Sequence, residues 1–180
     1  FTQLADNEID GYTFETKTTA GSVANLRLIS DGYIDLAIVQ ADLLSDAYNA
    51  TGTFADKKYQ KGYKAVASLY TECCQIVVRK DSGITGIDDL INKTVSVGAS
   101  ESGTEKNAEQ ILKMSGITDE LINKVNMDYT EAAEKLKAGE IDAFFCTAGT
   151  RTEVIGQLSK ECDIRLISLD DKCIDKMLSA

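Results

Sequence analysis

Gly32-Tyr-Ile-Asp-Leu-Ala-Ile-Val39 and Gly139-Glu-Ile-Asp-Ala-Phe-Phe-Cys146 are two versions of one phrase. In each, a glycine follows an amphipathic stretch, and one residue later Ile-Asp opens a short apolar run. Glycine takes the left-handed conformation that ends a helix. An apolar run without polar alternation is what a strand covered on both faces requires, as in parallel sheets. Both runs stop at small or polar residues, Gln40-Ala-Asp42 and Thr147-Ala-Gly149. In open α/β sheets ligands sit just outside the carboxyl ends of the strands. The repeat therefore predicts two α/β units, each presenting a polar strand end to a shared cleft.

Around the first phrase, Tyr12 to Thr19 reads as a strand, and Ala20-Gly21-Ser22 opens a helix to Asp31 with Val23, Leu26 and Ile29 in its apolar stripe. Ile34 to Gln40 is the expected strand, Ala41 to Ala50 a helix, and Thr51 to Gly62 a polar loop. Ala65 to Arg79 is one long apolar strand that breaks at Thr71-Glu72, which suits a crossing between lobes. Lys80-Asp-Ser-Gly83 marks the boundary, dividing the chain into 1–79 and 80–180. Beyond it come a short helix at Asp88–Ile91, a strand at Thr94–Val97, and the loop Gly98-Ala-Ser-Glu-Ser-Gly-Thr104. A helix over Glu105–Ser115 follows, then one from Thr118 to Lys124, a strand at Val125–Tyr129, and a helix over Glu131–Ala138 capped by Thr130. After the second phrase, Arg151–Lys160 is helical, Ile164–Leu169 a strand, and Asp171–Ala180 a helix. Proline is absent, so the turns fall to Gly, Asn, Asp and Ser.

Composition narrows the function. The chain has 180 residues, enough for one large domain or two small lobes. With 43% apolar and 27% charged residues it can build real cores. A net charge of −10 without a basic cluster argues against nucleic acid and for small molecules or another protein. No apolar run approaches a membrane span. The opening Phe1-Thr-Gln-Leu-Ala shows no signal-peptide pattern. Five cysteines without Cys-x-x-Cys, and no histidine at all, offer no zinc site of the usual spacing. Cys73, Cys74 and Cys146 lie in apolar runs, where free cysteine acts as a small hydrophobe; reactive or paired cysteine is the alternative. Lacking histidine, the chain also lacks the commonest general base, which counts against Ser-His and Cys-His hydrolases.

Gly98-x4-Gly103 has the outer spacing of a phosphate-binding loop, but Thr104 and Glu105 stand where lysine and a hydroxyl are required, and Glu101 would repel a triphosphate. Ser102-Gly-Thr-Glu105 instead matches a capping box. The same helix start offers backbone N–H groups and hydroxyls to a carboxylate, so it reads as cap and ligand site together. Ala20-Gly21-Ser22 has the same two readings, an N-cap by Ser22 or donors facing the cleft. Tyr70 and Glu72 are either core and turn residues or a phenol and carboxylate suited to a ligand's ammonium group. Arg151 reads as a solvated charge.

The chain resembles the TAXI solute receptors of TRAP transporters, a branch of the type II periplasmic binding proteins. The residues that carry this are Ala20-Gly-Ser-Val-Ala-Asn25-Leu, Gly32 to Asp42, Leu69-Tyr-Thr-Glu72, Val78-Arg-Lys-Asp-Ser-Gly-Ile84, Asp89-Leu with Lys93-Thr-Val, Val97-Gly-Ala-Ser-Glu-Ser-Gly-Thr-Glu105 and Ala138-Gly-Glu-Ile-Asp-Ala-Phe-Phe145. Thr71 and Thr150 stand where the family pattern usually has proline. The resemblance implies an α/β, two-lobed fold of type II, each lobe a mostly parallel sheet flanked by helices. It also implies a central fragment, with lobe 1 (1–79) lacking its first strand and lobe 2 (80–180) lacking a return to lobe 1. The implied function is an extracytoplasmic receptor, periplasmic or lipid-anchored, that captures a small carboxylate such as glutamate or a related amino acid and hands it to a TRAP membrane permease. No cofactor, metal or catalytic residue is implied. By motif position the ligand-binding residues are Gly21, Ser22, Gln40, Tyr70, Glu72, Ser102, Gly103, Thr104, Thr147 and Gly149.

Two other classes compete. An enzyme on the same fold, a transferase or deaminase, would need a nucleophile or base such as Cys146, Glu72 or a lysine. A ligand-sensing domain of a cytosolic regulator would be consistent with reduced cysteines. Fold analogy does not separate the three.

Overall fold

The computed structural model of the chain describes residues 2–56 and 63–179, so Lys57–Gly62, the end of the expected polar loop, lie outside the described residues. Five strands make one sheet: β1 (Cys73–Arg79), β2 (Thr94–Ser96), β3 (Asn123–Val125), β4 (Ala143–Ala148) and β5 (Ile164–Ile167). Their order is β3-β2-β4-β1-β5. The α/β class holds, with a mixed sheet in place of a mostly parallel one. β2 runs parallel to β3 and β4, whereas β1 is antiparallel to β4 and β5. β1 is the far half of the long apolar strand, and it enters the sheet from the first half of the chain against the direction of β4.

Both faces of this sheet are covered, as the unbroken apolar runs require. In register, Ile76 faces Phe145 and Val77 faces Phe144. Because side chains alternate along a strand, Ile76, Val78 and Phe145 point to one side with Val95, Ala108, Ile111 and Leu112. Val77, Phe144 and Cys146 point to the other with Ala132, Leu136 and Leu158. The first layer is supplied by α4 (Gly103–Met114), with α7 (Asp171–Leu178) against it; the second by α5 (Tyr129–Ala138) and α6 (Glu153–Glu161).

The first half is built differently. It holds α1 (Thr2–Glu8), α2 (Ser22–Ser30) and α3 (Ala41–Asn49). Val23, Leu26, Leu43, Ala47 and Phe54 form a small core between the last two helices and the turn that follows them. The strands expected at Tyr12–Thr19, Ile34–Gln40 and residues 65–72 do not form: among the described residues no ladder reaches them. Leu36 is 56% exposed, Ile38 68% and Val66 85%. A strand exists only where a second backbone takes its N–H and C=O groups. Here the first two of these segments are tied through one side chain, Asn25, which accepts from the Thr19 hydroxyl at 2.6 Å and donates to the Ile38 carbonyl at 2.8 Å.

Three local expectations are corrected. The helix expected from Thr118 to Lys124 is a turn that leads into β3 at Asn123. The strand expected to continue to Tyr129 stops at Val125, because Tyr129 already begins α5. The cap of α5 is Asp128 rather than Thr130: its carboxylate accepts from the Thr130 and Glu131 N–H groups, both at 2.9 Å. An anion at the positive end of a helix satisfies two orphan donors at once, which a hydroxyl placed further along cannot do. The glycines of both phrases adopt φ 75°, the left-handed turn expected of them.

Candidate ligand-binding site

The start of α4 is a capping box with a shifted partner. The Ser102 hydroxyl accepts from the Glu105 N–H at 3.0 Å, while the Glu105 carboxylate takes the N–H of Glu101 (2.9 Å) rather than that of Ser102. Ser102, Gly103 and Thr104 are buried. α2 begins at Ser22 with Gly21 in the cap position, so Ser22 does not cap; its hydroxyl accepts from the Gln40 N–H at 3.0 Å. That bond joins the start of α2 to the polar end of the first phrase.

These two helix starts meet. A Cβ on Gly21 would lie 3.1 Å from Ser102 Cα. The Ala24 N–H donates to the Glu101 carbonyl at 3.2 Å, and Arg27 pairs with the Glu101 carboxylate at 2.8 Å. Between them the Gln40 carboxamide donates to Glu72 (3.2 Å) and to Asn107 Oδ1 (3.3 Å). Asn107 Oδ1 also accepts from the Thr147 hydroxyl at 3.0 Å, and Asn107 Nδ2 lies 3.5 Å from Asp42. Behind this set, Tyr129 donates to the Thr147 carbonyl at 2.9 Å and shares a short hydrogen bond with the Thr104 hydroxyl. Burial pushes the Tyr129 phenol above its ordinary range, so it stays a donor at neutral pH.

Of the residues named from sequence, Gly21, Ser22, Gln40, Glu72, Ser102, Gly103, Thr104 and Thr147 are thus drawn into one connected polar set. Tyr70 is 64% exposed. Gly149 is half-buried, and its carbonyl accepts from Thr152 at 2.6 Å, turning back toward its own loop. Sequence reasoning missed Asp42, Asn107, Tyr129, Arg27 and Glu101 as members. Asn107 carried a usable signal: four residues past Gly103 on one helix, it must share that residue's face. The Arg27–Glu101 pair carried none, since only folding brings these positions together.

The set combines two helix starts, amides, hydroxyls and the carboxylates of Glu72 and Asp42. Such a surface can bind a small polar solute, with the helix ends taking an anionic group and the carboxylates a cationic one. Burial pushes the Cys146 thiol up to about 12, keeping it protonated at neutral pH. In native protein at pH 8, Cys146 is expected to resist thiol reagents that modify it rapidly in urea; mass mapping of the labelled peptides checks this.

A model of the NMT1-like family matches residues 2–180. Among solved structures, the periplasmic aliphatic sulphonate-binding protein SsuA of Escherichia coli superposes with a TM-score of 0.57 at 15% identity, over 92% of this chain and 50% of that one. The alkanesulfonate-binding protein SsuA of Xanthomonas axonopodis pv. citri, bound to MOPS, gives 0.60 at 17% identity over 92% and 53%. The substrate-binding protein of an amino acid ABC transporter gives 0.58 at 18% over 95% and 66%. The fold is that of the type II periplasmic binding proteins. The chain spans about half the length of the two SsuA structures.

Proposed function

The chain belongs to the NMT1-like family, and on that footing we propose that it is the solute-binding part of an extracytoplasmic transport receptor, not an enzyme. The observation that carries this is the meeting of two helix starts, at Ser22 and at Ser102–Thr104, with Gln40 and Thr147 from the ends of the two repeated phrases. Residues far apart in sequence converge there on polar, non-catalytic chemistry. Helix starts suit a carboxylate, and Glu72 and Asp42 suit an ammonium group, so an amino acid of the glutamate type is the proposed solute. The ordered motif set supports the finer assignment to the TAXI receptors, with a TRAP permease as partner and a periplasmic or lipid-anchored location. The proposed residues are those ten named from sequence, Tyr70 and Gly149 included, since a cleft that opens and closes moves its margins.

The proposal includes two lobes, 1–79 and 80–180, with the bend at Thr71–Glu72, just ahead of β1, as their hinge. The exposure of Leu36, Ile38 and Val66 supports a first lobe whose sheet is completed by further strand pairing. The burial and protonation of Cys146 weigh against the transferase or deaminase alternative.

A thermal-shift screen against amino acids and dicarboxylic acids at millimolar concentration is the test. A solute at about 100 times its Kd adds roughly 2.7 kcal/mol, and each kcal/mol raises Tm by about 2–4 °C in a protein this size. Glutamate or a close relative is expected to give such a shift. A flat response across the whole panel would sink the receptor assignment.

A further inference from the structure

Gly21 and Ser102 touch, so no solute fits between the two helix starts as they stand. What fills the space is the protein's own Gln40. Its carboxamide lies against Gly103, where a Cβ would overlap it. The φ of Gly103 is not in the left-handed region, so it is the Gln40 carboxamide, not the backbone, that a side chain at this position would have to push aside. The Gln40 amide nitrogen is held by Glu72 and Asn107, but its carbonyl oxygen is buried with no hydrogen-bond partner. Buried polar atoms are rarely left so. The Arg27–Glu101 pair and the Ala24–Glu101 backbone bond also tie the two helix starts together.

We propose that this arrangement is a self-occluded state of the ligand site, in which the Gln40 carboxamide is an internal occupant of the α4 start that an incoming solute must displace. The proposal rests on the receptor function proposed above and adds its regulation. Gln40 offers what a solute would offer: an amide N–H to Glu72 and Asn107, and a polar oxygen at a helix start. The orphaned oxygen makes the substitution imperfect, so a true ligand that satisfies the helix start wins the exchange. A competing shut state also lowers the apparent affinity by the fraction of molecules that occupy it. Affinity is thereby set partly by contacts, such as Arg27–Glu101, that need not touch the solute.

The Gly21→Cys/Ser102→Cys double variant tests this. An ideal Cβ on Gly21 lies 3.2 Å from Ser102 Cβ, close to the roughly 3.5–4.5 Å separation a disulfide needs. Without solute, diamide is expected to cross-link most of the double variant and neither single variant, and L-glutamate is expected to cut the yield several-fold. Folded double variant that fails to cross-link overturns the occluded state. So does an equal yield with L-glutamate bound, as shown by a thermal shift of the same sample. Because Gly21 has φ 136°, cysteine there is strained, and a second measurement avoids substitution. Hydrogen exchange of the Gln40 side-chain amide in the wild-type protein, read by NMR, is expected to be slow without solute; exchange at the rate of a free carboxamide overturns the proposal. Both solute-free measurements are independent of whether any solute binds, so they separate failure of the occlusion from failure of the receptor function.

Discussion

Replacing Phe145 with alanine is expected to remove about 3–5 kcal/mol of stability, a large share of the roughly 5–15 kcal/mol a folded domain has. Phe145 is fully buried in β4, opposite Ile76, and packs with Val95, Val97, Ala108 and Ile111. Strands below it and α4 above it are both anchored elsewhere, so the space left by the ring cannot close. Urea unfolding followed by circular dichroism checks this; the chain has no tryptophan to serve as a fluorescence probe. The midpoint is expected to fall with little change in m-value. Leu36, which occupies the position equivalent to Ala143 one residue after Ile-Asp, is 56% exposed. Its replacement by alanine is expected to cost no more than about 0.5 kcal/mol. A large loss at Leu36 would mean that the first phrase is buried in solution.

The aspartates of the two phrases give the second large contrast. The Asp142 carboxylate accepts the Thr94 N–H at 2.8 Å, and the Asp142 N–H returns to the Thr94 carbonyl at 2.8 Å. Those two bonds pin the start of β2 to the approach of β4. Asp142→Ala is expected to cost about 1.5–3 kcal/mol, the usual worth of a hydrogen bond to a charged group, while Asp142→Asn, which keeps an acceptor oxygen, loses less. Asp35, exposed in the first phrase, is expected to tolerate alanine without a measurable change in the urea midpoint. Equal effects at Asp35 and Asp142 would contradict the difference between the two halves.

Much of the second half was legible because its signals are local. Periodicity placed α4, α5 and α6, and glycine at 139 closed α5 where a left-handed residue was needed. The apolar run Ala143–Cys146 was a strand because both of its faces find helices. Where two local signals competed, the stronger physical one won: the carboxylate of Asp128 took the cap from Thr130, and the start of α5 truncated the expected strand. Nothing in Thr118–Lys124 announced that β2 would recruit Asn123–Val125 as its neighbour, since pairing depends on a partner distant in the chain.

The repeated phrase itself divides what each level decides. The residue pattern alone determined the α/β class, the glycine turns, the apolar runs and the polar ends at Gln40 and Thr147, because these rest on backbone geometry and hydrophobicity within a few residues. Only the tertiary structure decided that one phrase is the centre of a sheet and the other is an unpaired, exposed segment. A similar local pattern yields a strand only where a second backbone satisfies its hydrogen bonds and a second layer covers its side chains. The same holds for the site: helix starts were visible in the residues, but their contact through Gly21–Ser102, Arg27–Glu101 and Gln40–Asn107 exists because packing brings the two halves of the chain together.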